Sequence, residues 1–192
     1  NAAFAGLGGN LRCGHTNSGL RLFVLKYVYI MVLAWLLGGC ALFSGSLNAP
    51  VPQHLPALAQ AHWFQLTDMQ NGRQSLLAVQ ALADAQGTYW RWVQTDAFGV
   101  PLARQRIDSR GWRNDGFVPP NRRASQLFAA MLALLGGETT LYPQLTAATQ
   151  GQDTVYRQHN GRELWRIRAL NEGEWQIHTA TGDHWQIKII EE

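Results

Sequence analysis

A 192-residue chain with a formal net charge of +3 invites a nucleic-acid reading, and the placement of the charges removes it. Three of the 16 basic residues, Arg12, Arg21 and Lys26, precede position 40, where there is no acidic residue at all. From Cys40 onward the chain is close to neutral.

The first predicted element is a leader over residues 1–39. Arg21 and Lys26 form a basic start, Tyr27 to Leu37 an apolar run, and Leu37-Gly38-Gly39-Cys40 the end. The run is too short for a standard span of about 20 apolar residues. The pattern looks like a bacterial lipoprotein signal ending in a lipobox, with cleavage before an acylated Cys40. Acyl chains contribute roughly 0.8 kcal/mol per buried CH2, so two or three on one cysteine give stable attachment. The competing reading is an uncleaved anchor running on through Ala41, Leu42 and Phe43; a cysteine directly after Leu-Gly-Gly fits it poorly. With Cys13 in the leader and Cys40 acylated, no thiol remains for a disulfide, a CxxC redox pair or a cysteine-based metal site.

Residues 40–60 read as a flexible tether, rich in Ser44, Gly45, Ser46, Pro50, Pro52 and Pro56. A single domain over 61–192 follows. Four strands are predicted at His62 to Asp68, Gln74 to Asp84, Thr88 to Thr95 and Leu102 to Asp108, joined at Asn71-Gly72, Gln86-Gly87 and Phe98-Gly99. The period then changes. Behind Pro119-Pro120, Leu127, Phe128, Ala130, Met131, Leu134 and Leu135 mark one amphipathic helix over Asn121 to Leu135, stopped by Gly136-Gly137. Strands return, and Trp165-x-Ile167, Trp175-x-Ile177 and Trp185-x-Ile187-x-Ile189 recur every ten residues. Alternation places these Trp and Ile on one face of a meander and Arg166, Arg168, Gln176, His178, His184, Gln186 and Lys188 on the other. The indoles are either core packed against the helix or the lining of an apolar cavity.

No nucleophile elbow, zincin motif or phosphate loop is present, and no catalytic, metal or cofactor site is expected. His178 and His184 are expected to be neighbours across one hairpin beside Asp183, but on the polar face, where exposed histidines are ordinary. The pairs Arg104/Arg106 and Arg166/Arg168 read as a solvated outer face ahead of a lipid-headgroup patch.

A lipobox, a tether, antiparallel strands, one apolar helix and a final meander together resemble the LolA/LolB group of lipoprotein carriers and receptors. They are more closely similar to a family of uncharacterised proteobacterial lipoproteins found beside aryl-polyene synthesis genes. The resemblance spans about His62 to Ile190. It is carried by Trp90-x-Trp92-Val93-Gln94-Thr95-Asp96-Ala97-Phe98-Gly99, by Leu102, and by the helix from Asn121. It implies a mainly β fold (α+β), a half-open antiparallel barrel or curved sheet with a helical lid over an apolar cavity. The candidate lining is Leu77, Val79, Trp90, Trp92, Leu127, Met131, Leu134, Trp165, Ile167, Trp175, Ile177, Trp185 and Ile187. It also implies a protruding apolar residue that helps place cargo in the membrane. Phe98 matches that position, although Asp96-Ala97 stands where the group has Asn-Pro.

Two functions are expected from this. The first is a lipid-anchored protein at the outer membrane, facing the periplasm, that binds or helps insert a lipophilic cargo: a lipid, an aryl-polyene lipid or a lipoprotein acyl chain. Ala41 after the cysteine, rather than Asp, is compatible with outer-membrane sorting. The alternative is a structural or assembly lipoprotein that docks other envelope proteins and has no ligand cavity.

Overall fold

The computed structural model describes residues 49–190, and all that follows concerns them. Ten strands and one helix run in the order β1 (His62–Asp68), β2 (Gln74–Asp84), β3 (Gly87–Thr95), β4 (Pro101–Asp108), β5 (Gly111–Asn114), α1 (Arg122–Gly136), β6 (Leu145–Gln150), β7 (Asp153–Gln158), β8 (Glu163–Asn171), β9 (Glu174–Thr179) and β10 (His184–Ile190). All strands join one antiparallel sheet in the order β5-β4-β3-β2-β1-β10-β9-β8-β7-β6. The first and last strands of the chain meet in its centre, with Phe64 opposite Ile189 and Leu66 opposite Ile187. The sheet is not closed into a barrel, since β5 and β6 each end it as an edge.

Alternation decides which face is buried. Phe64, Leu66, Leu77, Val79, Trp90, Trp92, Trp165, Ile177 and Ile187 all point to one side, at 1% exposure or less. The helix lies on that side. Phe128 stacks on Trp92 with centroids 5.2 Å apart and planes at 20°, and Trp112 of β5 closes on both rings. Asn121 caps the helix by accepting from the Ala124 N–H at 3.1 Å, and Gly137, at φ +66°, ends it by donating to the Leu134 carbonyl.

Every residue from Leu127 to Ala133 is buried. Seven consecutive buried residues cover the whole circumference of a helix, which a sheet on one side cannot do. The expected lid is therefore an enclosed helix with cover on its second side. Tyr142, itself buried, donates its hydroxyl to the Ala129 carbonyl at 2.7 Å.

Further cover comes from the segment read in sequence as tether. Its part before residue 49 lies outside the described residues, but residues 50–53 are docked. Trp112 Nε1 donates to the Pro50 carbonyl at 2.8 Å, Gln144 Nε2 to the Val51 carbonyl at 2.9 Å, and the Gln53 N–H to the Leu141 carbonyl at 2.8 Å. Proline suits this role, because an extended strap with fixed φ loses little entropy on docking.

Candidate functional site

Inward positions along β3 change character toward its end. Trp90 and Trp92 are followed by Gln94, which is buried and donates through Nε2 to Ser75 Oγ of β2 at 2.9 Å. The core thus gives way to a polar floor. Above it opens a groove of about 570 Å³ whose walls include Arg73, Phe98, Leu102, Asn121, Arg123 and Trp185.

Phe98 is carried at the tip of the β3–β4 turn. The Asp96 carboxylate accepts from the Phe98 and Val100 N–H groups, both at 2.9 Å, while the Asp96 N–H donates to the Val100 carbonyl at 2.9 Å. Gly99 takes φ +81°, a conformation that favours glycine. These bonds fix a turn that holds the Phe98 side chain away from the protein, 92% exposed.

Across the groove, Arg123 in the first turn of α1 ties the helix to two hairpins. Its Nε donates to Asp183 Oδ1 at 2.5 Å and its Nη2 to Asp68 Oδ2 at 3.1 Å. The guanidinium also lies 5.2 Å from the Trp185 ring centroid. Burial opposes ionisation of Asp68, but the Gln70 N–H, Arg123 and Asn71 outweigh it and hold the carboxyl below its ordinary value.

No protein-family model matches the chain, and no curated protein matches it.

Cys40 lies outside the described residues. The residues expected to line a cavity are brought together, but as packed core. Leu77, Val79, Trp92, Leu127, Met131, Trp165, Ile177 and Ile187 have 0% exposure, so no water-sized space adjoins them, while Trp90, 1% exposed, borders a second pocket of about 550 Å³ beside residues 52–58. Ile167 and Trp185 are also buried, and Leu134 and Trp175 pack half-buried against the same cluster. Of this set Trp185 reaches the groove.

The polar face holds its own arrangement. Asp153 is bonded by Arg166 at 3.0 Å and by Arg168 at 2.6 Å, and these two guanidinium groups depress its pKa to about 2. His178 stacks on His184 nearby. Among the described residues no three His, Cys, Asp or Glu side chains group to hold a metal, and no helix is long and apolar enough to cross a membrane.

Sequence reasoning missed Asp96, Asp68, Arg123 and Phe117. Asp96 carries a readable signal, an Asx turn before Gly99. Asp68, Arg123 and Asp183 are far apart in sequence, and no local pattern announces their meeting. Phe117, fully exposed between β5 and α1, lies in an irregular Gly- and Pro-rich loop, where an apolar residue has no period to betray it.

Proposed function

We propose that the protein is a lipoprotein anchored through acylated Cys40 at the outer membrane, facing the periplasm, that binds or helps insert a lipophilic cargo. In this reading it is an open relative of the LolA/LolB-like fold. The observation that carries it is Phe98: an aromatic side chain at 92% exposure, displayed by a turn its own Asp96 builds. An isolated soluble surface gains nothing from such a display, whereas a lipid phase buries the ring favourably. The adjoining groove, with Leu102 and Trp185 beside Phe98 and a polar floor at Ser75 and Gln94, suits an amphiphile lying at the rim.

One observation favours the alternative, a scaffold that docks other envelope proteins: the interior is filled by its own side chains.

Mass spectrometry of the full chain purified from native membranes tests both. The expected result is an acylated Cys40 and a co-purifying lipophile that Phe98→Glu loses while keeping its circular dichroism spectrum. An unmodified Cys40 overturns the anchoring and the localisation, and lipid content unchanged in Phe98→Glu overturns the cargo reading. A lipid-free protein bound to a stoichiometric partner supports the scaffold.

A further inference from the structure

Successive hairpins turn at alternate ends of an antiparallel sheet, so the connections after β1, β3, β7 and β9 share one end with the loop from β5 to α1. That end has a distinct chemistry. Nine of the twelve arginines among the described residues are in ion pairs with carboxylates. Arg73, Arg122 and Arg162 have no ion pair or side-chain hydrogen bond among the described residues, and all three stand at this end. Arg73 closes the β1–β2 turn, Arg162 lies in the β7–β8 turn, and Arg122 opens α1.

The carboxylates at the same end are already engaged. Asp68 and Asp183 bond Arg123, Asp115 bonds Arg91 and Arg104, Glu163 bonds Arg157 and Arg166, and Asp96 is held by its own turn. An acid without an ion pair among the described residues, Glu172, lies at the opposite end in the β8–β9 turn. Asp96 is likewise without an ion pair, so among the described residues this end sets three unpaired arginines against one unpaired carboxylate.

The cationic end also carries the three most exposed large apolar side chains among the described residues. Phe98 and Val100 are 92% and 56% exposed, and Phe117 in the β5–α1 loop is 106% exposed. That loop is tied alongside the start of β4. The Asp115 N–H donates to the Arg104 carbonyl at 2.9 Å, and Asn121 Nδ2 to the Leu102 carbonyl at 3.3 Å. Phe117 is thus presented from the same end of the sheet as Phe98.

On the reading that the protein works at a membrane, we infer that this end of the sheet docks onto an anionic phospholipid surface. Phe98 and Phe117 enter the acyl boundary, and Arg73, Arg122 and Arg162 meet headgroup phosphates. Aromatic rings amid basic groups are the composition that an anionic bilayer interface binds. The charge complementarity is unspent, because no acid among the described residues is ion-paired with these three arginines.

Hydrogen exchange of the full chain, reconstituted in phosphatidylcholine vesicles with and without phosphatidylglycerol, tests the inference. With phosphatidylglycerol, the turns bearing Arg73, Phe98, Phe117 and Arg162 are expected to exchange more slowly, and the turns at the opposite end to be unchanged. The triple variant Arg73→Gln/Arg122→Gln/Arg162→Gln is expected to lower the docked population on the order of a hundredfold. In the unmodified chain high salt is expected to act in the same direction. Equal protection in both vesicle types, insensitive to salt, overturns the anionic docking and leaves the Phe98 wedge standing. No protection at the Phe98 turn in either vesicle overturns both.

Discussion

His178 and His184 stack face to face across the β9–β10 hairpin, with ring centroids 3.7 Å apart and planes at 25°. Burial, then His184, Arg166 and Arg168, lower the His178 pKa from its ordinary 6.5, against a smaller opposing pull from Asp153. The unfolded chain therefore binds this proton more readily than the folded one. The stability this group contributes is complete above the unfolded pKa of 6.5 and is lost as pH falls through it toward the lower folded value. The thermal midpoint is expected to fall between about pH 7.5 and about pH 5.5, and His178→Gln to flatten that slope. Identical pH profiles for the two proteins would remove the stacked pair as the cause.

Among the described residues Arg123 is the only cation bonded to two carboxylates as enclosed as Asp68 and Asp183, whose side chains are 5% and 8% exposed. Arg123→Ala strands both. The guanidinium is itself 46% exposed, so water screens part of its attraction, and the expected loss is about 1 to 2 kcal/mol near neutral pH. Asp68 has a folded pKa below 3.8, so its contribution is present above that value and lost as pH falls through the folded one. Urea denaturation should therefore show the gap between the two proteins shrinking toward about pH 3. A gap that stays constant in acid assigns the loss to stem packing against Trp185 instead.

The fold was legible where periodicity is strong. β1 and β2 match their expected bounds, and β3 and β4 differ from them by one residue, because alternation between buried and solvated positions fixes both strand and face. The Trp-x-Ile meander follows for the same reason, with Ile177 placed between Ile167 and Trp185. β5 was not legible, since four residues cannot establish a period, and the Thr- and Ala-rich β6 carries little apolar contrast. Docking of residues 50–53 was hidden by composition. Pro-rich sequence marks extended backbone equally well when free and when strapped to a surface. At the candidate site the Phe98-Gly99 turn was readable from its residues and Phe98 itself was singled out only by the resemblance, whereas the Arg123 tie depends on long-range contacts.

Core packing separates two tryptophans that the sequence reading sets alike among the candidate lining residues. Trp92 is fully buried and stacked on Phe128, whereas Trp175 is half-buried at the margin of the same cluster. Trp92→Ala is expected to cost about 3 to 5 kcal/mol, and Trp175→Ala about 1 to 2 kcal/mol. Trp92→Phe should cost less than Trp92→Ala, because it keeps a ring against Phe128. It also removes an indole N–H that has no hydrogen-bond partner among the described residues. Chemical denaturation midpoints rank the three, and equal losses at Trp92 and Trp175 would contradict the packing described.

At the rim, the identity of Phe98 and its display are separable properties. Asp96 accepts two turn N–H groups through its carboxylate, so Asp96→Ala leaves the Phe98 and Val100 amides without that acceptor while Phe98 itself is untouched. The expected stability loss is about 1 kcal/mol, with faster hydrogen exchange confined to this turn. Asp96→Asn keeps an acceptor oxygen at the same reach and should restore slow exchange. If display matters, Asp96→Ala loses co-purifying lipophile in part, Asp96→Asn does not, and Phe98→Glu loses it fully. Unchanged exchange in Asp96→Ala would show that the backbone bonds between Asp96 and Val100, with Gly99 at positive φ, suffice to hold the turn.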